Sequence, residues 1–294
     1  MPTRIRSIFW AAIPYVTLSV AMGSVAKSET PPLAKQELFV DVFKRTTPSI
    51  TADSSILVAG SVLGFQCIDA LSIIRKKAPT DEVVGGYNVL TGLVQAFPTN
   101  IRSYIMSKCS SISMRLPILR YDSTLPELLS RFIETKFGLA FVDNGGRALI
   151  SLSDLLQLYD KGLIDTELKC KDVASPPFRL PSDATLKEAL EEMIRRRIRR
   201  VFVNNSNAFI SDRTAISYIF SPEGIKVLKR ELFTTKIREI RTIDAIQVTG
   251  SLSLKESAKL LSRDKDKCLF CEPGLVTPWD CVVKPFQMNA LSIL

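Results

Sequence analysis

The feature that most constrains this chain is repetition. A short element recurs four times, as VGGYNVL from Val84, ISLSDLL from Ile150, ISDRTAI from Ile210 and VTPWDCV from Val276. Its polar positions Asn88, Asp154, Thr214 and Asp280 are 66, 60 and 66 residues apart. Units this short cannot bury both faces of a sheet alone, so they must stack on one another. Equal outer intervals around a shorter middle one predict two pairs with a boundary near residue 165. The expected organisation is a leader over 1–33, repeats one and two over 34–165, and repeats three and four over 166–294.

Within the units the same order of elements is legible. DATLKEALEEM from Asp183, SLSLKESAKLL from Ser251 and DSTLPELLSRFI from Asp122 each place small polar residues before an apolar 3.6-residue pattern. Hydroxyl side chains cap helix starts, and acids such as Glu188 and Glu256 in the first turn suit the N-terminal dipole. Leu186, Leu190, Met193 and Ile194 should face inward. Short apolar strands follow at LAFV (139–142), RRVFV (199–203) and CLFC (268–271), then a turn, a second strand and a further helix. The fold class is therefore α/β (α+β), four β-α-β-β-α repeats in two pseudo-twofold pairs. The first unit lacks a clear strand before Gly85 and reads as a degenerate, structural copy.

Composition removes several chemistries. The chain has no histidine, which excludes Ser-His-Asp, Cys-His and His-metal sites. The six cysteines hold one CxxC, Cys268 and Cys271, which a strand points to opposite faces. They read as buried free thiols in a reducing, cytoplasmic compartment, and no metal is expected. A net charge of +9 favours anionic partners but fits a soluble basic protein equally. Two arginines and an apolar stretch from Ile8 to Ala21 resemble a signal peptide. That stretch is too short and too interrupted for a membrane span. A misassigned start before Met22, or a disordered tail, is preferred to an export signal.

The recurring element has a chemical reading. A strand ending in glycine and apolar residues lets bare backbone approach a flat ligand. A strand-end hydroxyl and a helix-start carboxylate three residues on, Thr277 and Asp280, then face one space, where the acid can accept ribose hydroxyls and the helix start can hold phosphate. The bland alternative is a simple helix cap, and four registered copies weigh against accident. Trp279, between the two, is expected to pack as core.

These units resemble cystathionine-β-synthase (CBS) domains over about residues 38–290, most clearly in GLVTPWD (274–280) and ALISLSD (148–154) and partially in the third unit. The resemblance implies paired Bateman modules that bind AMP, ADP, ATP or S-adenosylmethionine. By position it implies Thr277, Asp280, Ser151 and Asp154 as ribose and phosphate contacts, and Arg199 as a phosphate contact. Arg199 in RRRIRRVFV reads equally as part of a solvated helix end. The resemblance also implies Ser211 and Thr214 as the corresponding nucleotide contacts of the third unit, where Ser211 keeps the hydroxyl and Thr214 replaces the acid.

The implied function is regulatory, with no enzymatic activity: ligand binding shifts conformation and signals to a protein partner or a second copy. The four-unit arrangement is similar to the gamma subunit of AMP-activated protein kinase. The alternative is a basic nucleic-acid-binding protein, supported by net charge and the RRRIRR cluster.

Overall fold

The computed structural model describes residues 47–97, 100–143, 147–228, 234–264 and 266–293, all within one unit, Glu37–Leu294. The expected leader over 1–33 lies outside the described residues.

The first repeat runs β1 (Ser49–Thr51), α1 (Ile56–Gln66), β2 (Ala70–Arg75), β3 (Ala78–Gly85) and α2 (Gly86–Ala96). α3 (Ile101–Met106) and β4 (Met114–Arg115) lead into the second repeat, β5 (Ile118–Arg120), α4 (Leu125–Thr135), β6 (Leu139–Asp143), β7 (Arg147–Ser151), α5 (Leu152–Leu155) and α6 (Gln157–Asp160). After β8 (Ile164–Asp165) and α7 (Cys170–Val173), the third contains β9 (Arg179–Leu180), α8 (Leu186–Arg196), β10 (Arg200–Val203), β11 (Ala208–Ser211), α9 (Asp212–Ile219) and α10 (Pro222–Val227). β12 (Ile243–Asp244) precedes the fourth, β13 (Ile246–Gln247), α11 (Leu254–Arg263), β14 (Leu269–Cys271), β15 (Gly274–Val276) and α12 (Pro278–Gln287), and β16 (Ser292–Ile293) follows it. The mixed α/β class and the β-α-β-β-α order are those read from the sequence.

The expectation that the first repeat lacks a strand before Gly85 is corrected. β3 spans eight residues and pairs antiparallel with β2. Its first half, APTDE, carries Pro79 and two acids, so the alternating pattern of a strand is hidden. α1 also escaped the sequence reading, because ILVAGSVLGFQ is apolar nearly all round and shows no helical stripe.

Caps define the other helix starts. Thr124 with Glu127, Thr185 with Glu188 and Ser253 with Glu256 form reciprocal capping boxes on α4, α8 and α11, each satisfying two orphan N–H groups. Leu186, Leu190 and Met193 are buried as expected, whereas Ile194 is only half-buried.

Two kinds of interface hold the repeats together. Each leading segment crosses to the sheet of the neighbouring repeat: β4 joins β3, and β12 joins β11. In return, Thr47 Oγ1 donates to Arg147 O and accepts from Leu149 N on β7, while Ser175 exchanges backbone bonds with Leu275 on β15 at 2.9 and 2.8 Å. Sheet faces pack in the same pairs, through Ala70, Val83, Leu116 and Phe141 on one side and Phe202, Phe209, Ala245 and Cys268 on the other. Helices pack in the opposite sense. One large core combines α1 and α2 with α8 and α9, from the first and third repeats. The other combines α4 to α6 with α11 and α12, from the second and fourth.

Candidate functional site

The four recurring elements occupy one structural position, the junction where the second strand of each repeat becomes a helix. At each, the polar residue three positions into the helix turns back to the strand end. Gly85 N donates to Asn88 Oδ1 at 3.2 Å. Ser151 N and Oγ both donate to Asp154 Oδ2, at 2.9 and 2.8 Å. Ser211 N donates to Thr214 Oγ1 at 2.8 Å, and Thr214 N to Ser211 Oγ at 3.1 Å. Thr277 N and Oγ1 donate to Asp280 Oδ2, at 2.8 and 2.6 Å.

A helix start leaves backbone N–H groups unsatisfied, and this geometry also ties the strand end to the helix. The chemistry differs between copies. Repeats two and four present an alcohol and a carboxylate, repeat three two alcohols, and repeat one an amide. Ser151, Asp154, Ser211 and Asp280 are buried, while Thr277 and Thr214 are half-buried.

Asp280 is the most heavily bonded of these groups. Beyond Thr277 on Oδ2, its Oδ1 accepts from Ser175 Oγ at 3.2 Å and from Lys284 Nζ at 2.8 Å. Ser175 belongs to the segment between α7 and β9, which presses directly on the start of β15. A Cβ on Gly274 would lie 2.2 Å from Ser175 O, so only glycine fits. That is why the sequence needs glycine ahead of LVTPWD. Trp279 is half-buried and packs against the core shared by repeats two and four.

Arg199 is ion-paired to two acids. Its guanidinium contacts Asp69 Oδ1 at 2.7 Å and Asp212 Oδ2 at 2.8 Å, although the side chain keeps 48% exposure. Arg213, 7% exposed, bridges Asp69 at 2.8 Å and Asp266 at 2.8 Å, so the network joins the first, third and fourth repeats. Burial opposes charge on Asp69, but the guanidinium groups of Arg199 and Arg213 outweigh it and hold its carboxyl well below the usual range. Desolvation opposes the charge on Arg199 in turn, but the carboxylates of Asp212 and Asp69 outweigh it and raise its pKa. The third repeat thus carries its acid at Asp212, two residues before Thr214, and engages it with Arg199.

Asp69, Asp212, Arg213, Asp266, Ser175 and Lys284 were all missed by sequence reasoning. Only the Asp-Arg pair at 212–213 offered a signal, and the acids that hold Arg213, Asp69 and Asp266, lie over fifty residues away. In the same RRRIRR cluster Arg195 and Arg196 both pair with Glu192, and Arg200 donates to Lys267 O.

Two open clefts lie on the third repeat. One of about 530 Å³ is lined by Phe178, Asp183, Glu188 and Lys236 among others, and one of about 380 Å³ by Arg179, Asn204–Asn207 and Phe270. No junction residue lines either cleft. Of the six cysteines, five are buried and Cys67 is exposed, which corrects the expectation that all are buried. Cys67 ends α1 with φ 49°, its side chain turned outward at the helix terminus. Cys268 packs between sheets and Cys271 in the helix-side core, on opposite faces of the strand. Among the described residues, no cluster of metal-ligating side chains occurs and no helix is long and apolar enough to cross a membrane.

Residues 170–211 match the family model described as CBS domain. No curated protein matches the sequence at a significant level. A structure from Methanocaldococcus jannaschii, a proposed archaeal homologue of g-AMPK, is 17% identical, with a TM-score of 0.72 over 84% of this chain and 99% of its own. An uncharacterised conserved protein from Pyrococcus horikoshii is 13% identical, with a TM-score of 0.49 over 82% of this chain and 96% of its own. A CBS-domain containing protein from Agrobacterium tumefaciens is 16% identical, with a TM-score of 0.36 over 40% of this chain and 87% of its own. Identities this low speak to fold alone. Residues 170–211 thus carry the sequence signature of a CBS domain, within a fold similar to that of the archaeal structure.

Proposed function

We propose that this chain is a regulatory sensor of adenosyl ligands (AMP, ADP, ATP or S-adenosylmethionine), and that repeats two and four hold the sites. The observation that carries the reading is the pair of junctions Ser151/Asp154 and Thr277/Asp280, where alcohol and carboxylate meet at a helix start. Vicinal ribose hydroxyls are two donors that a carboxylate can accept, and a helix N-terminus favours phosphate. The CBS resemblance supplies the ligand class.

In this reading the working units are the pairs 34–165 and 166–294. Ligand occupancy shifts the balance between two arrangements of a pair, by no more than the difference in its affinity for them. The change is read by a protein partner or a second copy, and the chain itself performs no catalysis. Arg199 takes part only by leaving Asp69 or Asp212, and its half-exposed side chain leaves that route open. Ser211 and Thr214 serve as a structural cap. The nucleic-acid alternative is weakened because the RRRIRR cluster spends much of its charge on Glu192, Asp69 and Asp212.

Calorimetric titration with the four ligands tests the reading. The wild-type chain should bind at least one of them at millimolar concentration or below. Asp280→Ala and Asp154→Ala should each remove one site while losing about 1 kcal/mol of stability as helix caps. A wild type that binds none of the four refutes the sensor reading.

A further inference from the structure

Asp280 is the residue on which ribose recognition in the fourth repeat depends, yet its acceptor capacity is already full. An ionised carboxylate offers about four lone-pair sites. Thr277 N and Oγ1 occupy two of them on Oδ2, and Ser175 Oγ and Lys284 Nζ occupy the others on Oδ1. The bond from Thr277 N satisfies a backbone donor at the start of α12, so exchanging it would leave that donor unpaired. The two on Oδ1 come from side chains that can move.

Lys284 is likewise saturated. Its ammonium group has three N–H donors, and its contacts are Asp280 Oδ1 at 2.8 Å, Val173 O at 2.5 Å and Ser175 Oγ at 2.6 Å. It lies one helical turn beyond Asp280, on the same face of α12. The equivalent positions in the first three repeats are Gly92, Leu158 and Tyr218, so the fourth repeat alone carries a cation here.

Building on the sensor reading, we propose that Lys284 is the specificity-determining residue of the fourth site, a built-in occupant of Asp280 that ligands with an anion beside the ribose displace best. Two ribose hydroxyls replace Ser175 Oγ and Lys284 Nζ on Oδ1 and its surroundings. Lys284 is then left as a half-buried ammonium without its carboxylate, which is costly unless the ligand brings a negative group. A phosphate attached to the same ribose meets that need, and a neutral nucleoside does not. Displacement also releases the hold of Lys284 on Val173 and Ser175, in the segment that joins the second repeat to the third.

The test compares AMP with adenosine by calorimetry on the full chain, in an Asp154→Ala background that silences the second site, with Lys284, Lys284→Met and Lys284→Arg. With Lys284, AMP should bind about tenfold or more tighter than adenosine, as expected for a charge-assisted contact. Lys284→Met should strengthen adenosine binding and reduce the preference to near unity, and Lys284→Arg should restore it. The arginine variant also decides the matter should the methionine variant fail to fold. Equal binding of AMP and adenosine with Lys284 present, or a preference unchanged in Lys284→Met, overturns this inference and leaves the sensor reading standing. Absence of binding in all three proteins and in the wild type overturns both.

Discussion

The helix layer shared by repeats one and three and the one shared by repeats two and four have the same architecture and opposite chemistry. In the first, the junction caps are neutral (Gly85 with Asn88, Ser211 with Thr214), and charge sits beside them in the ion-pair network of Asp69, Arg199, Asp212 and Arg213. In the second, the caps themselves hold carboxylates, Asp154 and Asp280, and the helices meet through apolar side chains and the Tyr159–Cys281 hydrogen bond. The strand-end N–H needs only an acceptor at the third helical position, which an amide, an alcohol or an acid can supply. The fold therefore tolerates all three, so the cap alone does not account for which acceptor stands at a given junction.

The largest effect should come from the charged half. Asp69→Asn leaves Arg213 buried beside an amide, and loss of one partner from a buried ion network costs about 3 kcal/mol. Urea denaturation at pH 7 measures the loss, and a change under 1 kcal/mol would show that Arg213 is adequately held by Asp266 alone. The same residue sets a pH signature. Because its folded-state pKa is depressed, the stability it adds is complete above the unfolded carboxylate value of about 3.9 and is lost as pH falls below that towards the folded value. The wild type should lose stability over that acid range more steeply than Asp69→Asn.

Gly274→Ala sharpens the comparison from the other half. The new methyl group would meet Ser175 O, and the backbone must shift at a cost of about 1–3 kcal/mol. Hydrogen exchange should show faster opening around Ser175 and Leu275 with little change in the core of repeats one and three. Uniform loss of protection in both halves would erase the distinction drawn between them.

The smallest effect is expected at Tyr159→Phe. The buried hydroxyl donates to Cys281 O at 2.7 Å, and burial raises its pKa far above the usual phenol value. Deleting one such bond costs about 1–2 kcal/mol, as the carbonyl loses its partner. Thermal melting reads the change, and an unaltered midpoint would mean that water or a neighbour satisfies Cys281 O.

Particular elements show why some of this was readable in advance. α8 and α11 announced themselves through a hydroxyl, an acid three residues later and an amphipathic pattern, all of them local. The registered spacing of Asn88, Asp154, Thr214 and Asp280 located the four junctions because one strand-to-helix turn was copied. α1 and β3 were missed because α1 is apolar on every side and the first half of β3 is polar. The resemblance was clearest in the fourth repeat, yet the family model matches the third. The match extends through α7, α8 and β10 to Ser211, elements that hold the family pattern even where Thr214 has replaced the acid.

The sequence by itself determined the module, its four copies and the cap at each junction, because these follow from residues within one turn of one another. Tertiary structure decided which repeats share helices, which exchange leading segments, and what stands opposite each polar group. Asp69 meets Arg199 and Arg213, and Lys284 and Ser175 meet Asp280, across more than a hundred residues of chain in all but the Lys284–Asp280 contact. A one-dimensional pattern specifies the acceptor at a helix start; which donors fill its remaining lone pairs is settled only when distant segments are packed against it.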